Sequence, residues 1–114
     1  MKQNLPTEHA EHAAFVSWFR AQYPNVLIFA IPNGEYRNKV VAMRLKAEGV
    51  LPGVPDLCIP EWYVYIEMKR TKGGRVDDEQ KKVINYLIEC GYTVEVCKGF
   101  EAARDFILKN YPPK

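Results

Sequence analysis

Hydrophobic and polar side chains alternate along the segment Trp62 to Lys69, which is rich in aromatic and β-branched residues. The alternation predicts a β-strand that begins after Pro60 and ends before Gly73-Gly74. Alternate side chains of a strand point to opposite faces, so the segment divides into two sets. One set, which a helix could cover, contains Trp62, Val64, Ile66 and Met68, and the other contains Tyr63, Tyr65, Glu67 and Lys69.

A short apolar run, Asp56 to Ile59, precedes this strand and predicts a second one. A turn at Pro60-Glu61 would let the two strands pair antiparallel. Such a hairpin would bring Asp56 beside Glu67 or Lys69.

The remaining hydrophobic pattern predicts four helices and two further strands. The first helix begins at the N-cap Thr7 and ends near Tyr23, and the third is capped by Asp77 or Asp78 and ends near Cys90 before Gly91. The other elements are strands over 26–31 and 92–97 and helices over 40–48 and 100–111. The expected core positions of the helices are Phe15, Trp18 and Phe19, then Val83, Ile84, Leu87 and Ile88, then Phe100, Ala103, Phe106 and Ile107. This order predicts an α/β fold with a mixed sheet and helices on both faces.

The predicted hairpin concentrates charged side chains at one place. Glu67 and Lys69 share a face, about 7 Å apart along the strand. Two carboxylates held close together repel one another, and a hard cation such as Mg²⁺ relieves that repulsion. Glu-x-Lys alone also occurs on any half-exposed strand, so it is the combination with Pro55-Asp56 that favours a site for a divalent metal and a phosphate.

These motifs resemble those of the PD-(D/E)xK nucleases, and among them the small VRR-Nuc type. The resemblance covers most of the chain and depends on Glu8, Pro32-Asn33-Gly34, the segment from Gly49 to Asp56, Glu67-Met68-Lys69 and Gln80. It implies a restriction-endonuclease-like core in which Asp56 and Glu67 are metal ligands and Lys69 is the catalytic lysine. It also implies that Glu8 is a further acid at the metal and that Gln80 supports the site. Glu11 is the alternative to Glu8, and His12 stands where many relatives carry glutamine.

The function implied by this resemblance is hydrolysis of DNA phosphodiester bonds with Mg²⁺ or Mn²⁺. Stand-alone relatives suggest a structure-specific endonuclease, including resolvases of four-way (Holliday) junctions, that acts as a homodimer. Two alternatives remain open. One is a nucleic-acid-binding module without catalysis, and the other is a nuclease that acts on linear DNA or RNA.

Composition sets limits on this interpretation. A length of 114 residues with 47% hydrophobic side chains predicts one domain over 1–114. No apolar run is long enough to span a membrane, and the start MKQNLPTEHA lacks a signal-peptide core. A cytoplasmic protein is expected, in the host cytoplasm if it is phage-encoded, as compact members of the family often are.

The net charge of +2 is weak evidence for a polyanion partner, so contacts with nucleic acid would come from local basic clusters. The candidates are Arg37 and Lys39 upstream of the site, and Arg70, Lys72 and Arg75 directly after the catalytic strand.

The cysteines and histidines do not form a metal-binding motif. Cys58, Cys90 and Cys97 lack a Cys-x-x-Cys spacing and are expected to be reduced core residues. His9 and His12 do not have the His-Glu-x-x-His spacing, so surface or supporting roles are favoured over zinc binding.

Overall fold

A computed structural model describes residues 5–32 and 38–113 of the protein. Within these residues, four strands form one mixed sheet in the order β1-β2-β3-β4. Strands β1 to β3 pair antiparallel, and β4 runs parallel to β3. The strands are β1 (Phe29–Ala30), β2 (Leu57–Ile59), β3 (Val64–Lys69) and β4 (Thr93–Lys98). The mixed α/β fold predicted from the sequence is therefore confirmed.

Four helices complete this part of the chain, and three of them begin at polar caps. Thr7 caps α1 by accepting a hydrogen bond from the Ala10 amide, and Asp77 caps α3 in a reciprocal capping box with Gln80. The helices are α1 (Glu8–Gln22), α2 (Lys39–Ala47), α3 (Asp78–Glu89) and α4 (Phe100–Asn110). None of these helices is long and apolar enough to cross a membrane.

The main hydrophobic core lies between the sheet and the pair α1 and α4. Val64, Ile66 and Met68 of β3 are fully buried in it, as are Phe15 and Phe19 of α1. Each such side chain stabilises the fold by roughly 1.5 to 3 kcal/mol through removal of its apolar surface from water. The remaining β3 side chains point to the opposite face, where α3 covers Glu67 and Lys69 through Gln80.

Several local predictions differ from the structure. The predicted strand over 26–31 is reduced to two residues, and β3 begins at Val64 because Pro60–Trp62 forms a 3-10 turn. Tyr63 then adopts left-handed backbone angles with φ of 57°, which interrupts the extended run. Trp62 still packs on the core by stacking on Tyr111, with 4.3 Å between ring centroids.

Two predicted core positions are also wrong. Ile88 is half exposed because it lies on the outer face of α3. Cys90 is exposed because it is the C-cap of α3, whereas Cys58 and Cys97 are buried as predicted. All three cysteines are free thiols, and burial raises the pKa of Cys97 to about 12.

Gly53 lets the loop that leads to Asp56 pack closely against the start of α3. Its φ is +92°, and a Cβ placed there would lie 2.8 Å from the Glu79 carbonyl oxygen at the start of α3. Gly49 is the matched control, since its φ of +106° is similar but no atom lies within 4 Å of its Cβ position. Gly49→Ala should cost about 1 to 2 kcal/mol of unfolding free energy from backbone strain alone. Gly53→Ala should cost roughly 1 to 3 kcal/mol more, because the loop must also move away from α3.

Urea unfolding of the two variants measures this difference. Equal losses for Gly49→Ala and Gly53→Ala would show that close packing at Gly53 contributes nothing beyond its backbone angle.

Candidate active site

Asp56 lies immediately before β2, at the end of the loop fixed by Gly53. Leu57 pairs with Ile66 in the antiparallel register, so Asp56 comes opposite Glu67. Its Oδ2 atom accepts a hydrogen bond of 2.8 Å from the Met68 backbone N–H. The residue is buried, with only 9% of its surface exposed, and this contact holds its side chain against the end of β3.

Glu67 is the second buried carboxylate, with 3% of its surface exposed. Burial, followed by the charge of Asp56, raises the pKa of Glu67 from its ordinary value of 4.5 to about 7. Lys69 acts in the opposite direction and lowers this pKa. The structure therefore holds a pair of mutually repelling acids whose repulsion Lys69 only partly offsets.

Lys69 and Gln80 complete a hydrogen-bonded cluster with Glu67. Lys69 Nζ lies 3.2 Å from Glu67 Oε2 and donates to Gln80 Oε1 at 3.0 Å. Gln80 Nε2 donates to Glu67 Oε2 at 2.7 Å, and the Asp77 backbone N–H donates to Gln80 Oε1 at 2.9 Å. Gln80 thus fixes both the acid and the lysine, while its own position is set by the helix cap. In the described parts of the chain, no buried side-chain nitrogen or oxygen lacks a hydrogen-bond partner.

The sequence motif found Gln80 but missed the role of Asp77 in holding it. The signal was present, since an aspartate three positions before a glutamine at a helix start is the spacing of a capping box.

Glu8 lies in the first turn of α1, beside the segment that follows β3. It lines a cleft with Arg70, Thr71 and Lys72, which follow the end of β3. Across residues 5–32 and 38–113, no three His, Cys, Asp or Glu side chains are grouped closely enough to hold a metal ion. The structure thus brings together Asp56, Glu67, Lys69 and Gln80, while a role for Glu8 at the metal stays a prediction.

Glu11, the alternative first-helix acid, has a different environment. Its Oε2 accepts a hydrogen bond from Thr71 Oγ1 at 2.9 Å, and its Oε1 accepts one from the Phe100 backbone N–H at 3.2 Å. Both oxygens are therefore used in joining three segments that are far apart in the sequence. Thr71 was not identified from the sequence, because a lone threonine in a polar loop carries no distinguishing pattern.

The predicted DNA-binding cations fall into two groups. Arg70, Lys72 and Arg75 are exposed on the loop that follows β3, and Lys39 is exposed in the first turn of α2. Arg37 lies outside the described residues, as do Asn33 and Gly34 of the predicted turn.

One carboxylate directly before a strand, with a second carboxylate and a lysine on the antiparallel neighbouring strand, forms the arrangement of PD-(D/E)xK nuclease domains. The sequence model of the VRR-NUC domain family matches residues 2–101 of this chain. The chain therefore belongs to the VRR-NUC family. Its domain is a nuclease domain of the PD-(D/E)xK type.

A solved structure of a VRR_NUC domain protein has the same fold, with a TM-score of 0.76 and 23% sequence identity. The match covers 97% of this chain and 91% of that one, and at this identity it establishes the fold alone. No curated protein sequence matches the chain significantly.

Proposed function

We propose that the protein is a divalent-metal-dependent DNA endonuclease that acts on branched DNA as a homodimer. Asp56 and Glu67 would hold the cation, Lys69 would act at the scissile phosphate, and Gln80 would position Glu67 and Lys69. The observation that carries this proposal is the buried Asp56–Glu67 pair, which is held beside Lys69 although its charges repel.

The donor atoms of this pair fit a hard divalent cation. Both side chains offer carboxylate oxygens, which are the ligands that Mg²⁺ and Mn²⁺ prefer. A cation would also offset the charge of Asp56, which together with the larger effect of burial raises the pKa of Glu67. When bound, such a cation polarises a phosphate oxygen and makes a coordinated water more acidic.

Gln80 orients Glu67 and Lys69, and Lys69 supplies a positive charge. Lys69 is mostly buried, with 12% of its side chain exposed, and its ammonium group is held by Glu67 and Gln80. A cation fixed in this way needs little rearrangement to meet the negative charge that develops on a phosphate. Gln80 contacts both the acid and the lysine, so it is a positioning residue for Glu67 and Lys69.

Exposed cations on the loop after the catalytic strand and on α2 support binding to a DNA backbone. Arg70, Lys72 and Arg75 follow the catalytic strand directly, and Lys39 adds a further charge from α2. Contacts of this kind bind phosphates without regard to base sequence. We therefore propose that the protein selects DNA by its branched shape and not by its base sequence.

The proposed homodimer would supply the two active sites that symmetric cutting of a four-way junction requires. The described residues of one chain contain one buried acidic pair, and symmetric cutting of a four-way junction needs two sites at a fixed separation. A two-fold dimer supplies that arrangement.

Cleavage of labelled four-way junction, flap, linear duplex and single-stranded DNA in Mg²⁺, Mn²⁺ or EDTA tests the proposal. We expect metal-dependent cutting of branched substrates that is abolished in Asp56→Ala and Lys69→Ala. Lys109→Ala is the control, because it removes an exposed lysine at the end of α4. Sedimentation of the protein with and without junction DNA measures the dimer.

Other outcomes would redirect the proposal. Equal cutting of linear and branched DNA would remove the structure specificity. Binding without cutting, unchanged in both site variants, would indicate a DNA-binding module.

A further inference from the structure

We propose that Glu11 is a positioning residue that fastens the basic loop, defined here as Arg70 to Arg75, to α1 and to the start of α4. By this contact it sets where the cations of the loop meet the DNA backbone. The inference rests on the proposed nuclease function for its effect on DNA, but the contact itself can be tested without DNA.

The two oxygens of the Glu11 carboxylate join separate parts of the chain. Oε2 accepts from the Thr71 hydroxyl at 2.9 Å, and Thr71 lies within the basic loop. Oε1 accepts from the Phe100 backbone N–H at 3.2 Å, at the first residue of α4. A single side chain of α1 therefore connects the exits of both β3 and β4.

The start of α4 is suited to receive this carboxylate. Its N-cap is Gly99, which has no side chain to accept hydrogen bonds from the first turn of the helix. Glu11 takes over part of this capping from α1 and places a negative charge at the positive end of the helix dipole. A carboxylate there is therefore favoured by the helix as well as by Thr71.

Gly99 also leaves the space that the contact needs. A Cβ at this position would lie 2.7 Å from Thr71 Oγ1 and 3.0 Å from Glu11 Oε1. The Gly99 backbone N–H donates to the Lys69 carbonyl oxygen at 3.0 Å. The contact between Glu11 and Thr71 thus lies directly beside the point where the chain leaves the catalytic strand.

The position of Thr71 gives this contact a consequence for DNA binding. Thr71 lies between Arg70 and Lys72, and Gly73 and Gly74 follow within the loop. Glycine-containing segments have many accessible backbone conformations, and ordering them on binding costs free energy. A loop already fastened at Thr71 presents its cations at a lower cost, so removal of the fastening should weaken DNA binding more than the chemical step.

Three variants test the contact. Glu11→Ala removes the carboxylate, Thr71→Val removes only the hydroxyl, and Thr71→Ser keeps a hydroxyl and is the rescuing control. Limited trypsin digestion reports on the loop directly, since Arg70, Lys72 and Arg75 are trypsin sites within it. We expect cleavage at these sites to become at least about 5-fold faster in Glu11→Ala and Thr71→Val, because the fastening no longer limits local opening. Thr71→Ser should digest at the wild-type rate.

The DNA measurements separate positioning from catalysis. In Glu11→Ala and Thr71→Val, KM for DNA should rise about 5- to 10-fold while kcat stays within about 3-fold. The slope of log affinity against log salt should fall by roughly one for each DNA phosphate that the loop no longer neutralises. The increase in Tm caused by Mg²⁺ should match that of the wild type.

Each contrary result has its own meaning. Absence of the Mg²⁺-induced Tm increase in Glu11→Ala would make Glu11 a metal ligand and overturn the inference. Unchanged trypsin cleavage in both Glu11→Ala and Thr71→Val would show that the contact does not hold the loop. If trypsin cuts the loop faster in both variants but the wild-type protein cuts no DNA, the contact would be supported and the proposed function rejected.

Discussion

Asp56→Asn should reduce DNA cleavage by at least about 1000-fold, which corresponds to roughly 4 kcal/mol of transition-state stabilisation. The same substitution should make the metal-free protein more stable at pH 8. Asparagine can still accept the Met68 N–H through its amide oxygen, while its NH₂ group replaces the carboxylate charge near Glu67. The site is therefore expected to gain stability at the expense of activity.

The effect on stability depends on pH in a defined direction. The pKa of Glu67 is raised to about 7 in the folded protein. The protonated form of Glu67 therefore contributes stability that is fully present below about pH 4.5 and is lost as pH rises through about 7. At pH 5 Glu67 is mostly protonated in the wild type, so most of the repulsion from Asp56 is removed. The Tm advantage of Asp56→Asn in EDTA should therefore be large at pH 8 and small at pH 5.

Thermal unfolding at the two pH values, with single-turnover cleavage, measures both effects. Asp105→Asn removes an exposed carboxylate from α4 and is the control for removal of one negative charge. A lower Tm for Asp56→Asn than for the wild type at pH 8 would contradict the role of charge repulsion at this pair.

Lys69→Met should reduce cleavage by about 100- to 1000-fold, because the site then lacks its fixed ammonium group. It should also change metal binding through Glu67. Lys69 lowers the pKa of Glu67, so its removal should raise that pKa above about 7. A proton then competes with the metal up to a higher pH, and the Mn²⁺-induced increase in Tm should begin at a higher pH than in the wild type.

Lys98→Met is the matched control, since Lys98 is the register partner of Lys69 on β4 but is exposed. It should retain cleavage within about 3-fold of the wild type. Titration of the Mn²⁺-induced Tm increase between pH 6 and pH 9 measures the shift. An onset at the same pH in wild type and Lys69→Met would show that Lys69 does not control the protonation of Glu67.

Much of the candidate site could be predicted from local sequence. The alternation along β3 placed Glu67 and Lys69 on one face, and the antiparallel hairpin placed Asp56 beside Glu67 or Lys69. The strand register of the structure selects Glu67. The helix caps at Thr7 and Asp77 were also predictable, because a cap is formed by residues within three positions of one another. The length of β1 could not be predicted in this way. It is set by the residues that pair with β2, which are Phe29 and Ala30, and pairing depends on the partner strand as well as on the sequence of β1.

The sequence by itself determined which side chains share a face, since the spacing of residues along a strand or helix is fixed by backbone geometry. Only the tertiary structure decided how deeply Glu67 is buried, which is what raises its pKa, and that Gln80 joins Glu67 to Lys69. It also decided that Glu11 meets Thr71 and Phe100, which lie 60 and 89 positions away along the chain. Desolvation and contacts of this kind depend on how distant elements pack, and no local pattern encodes the distances between them.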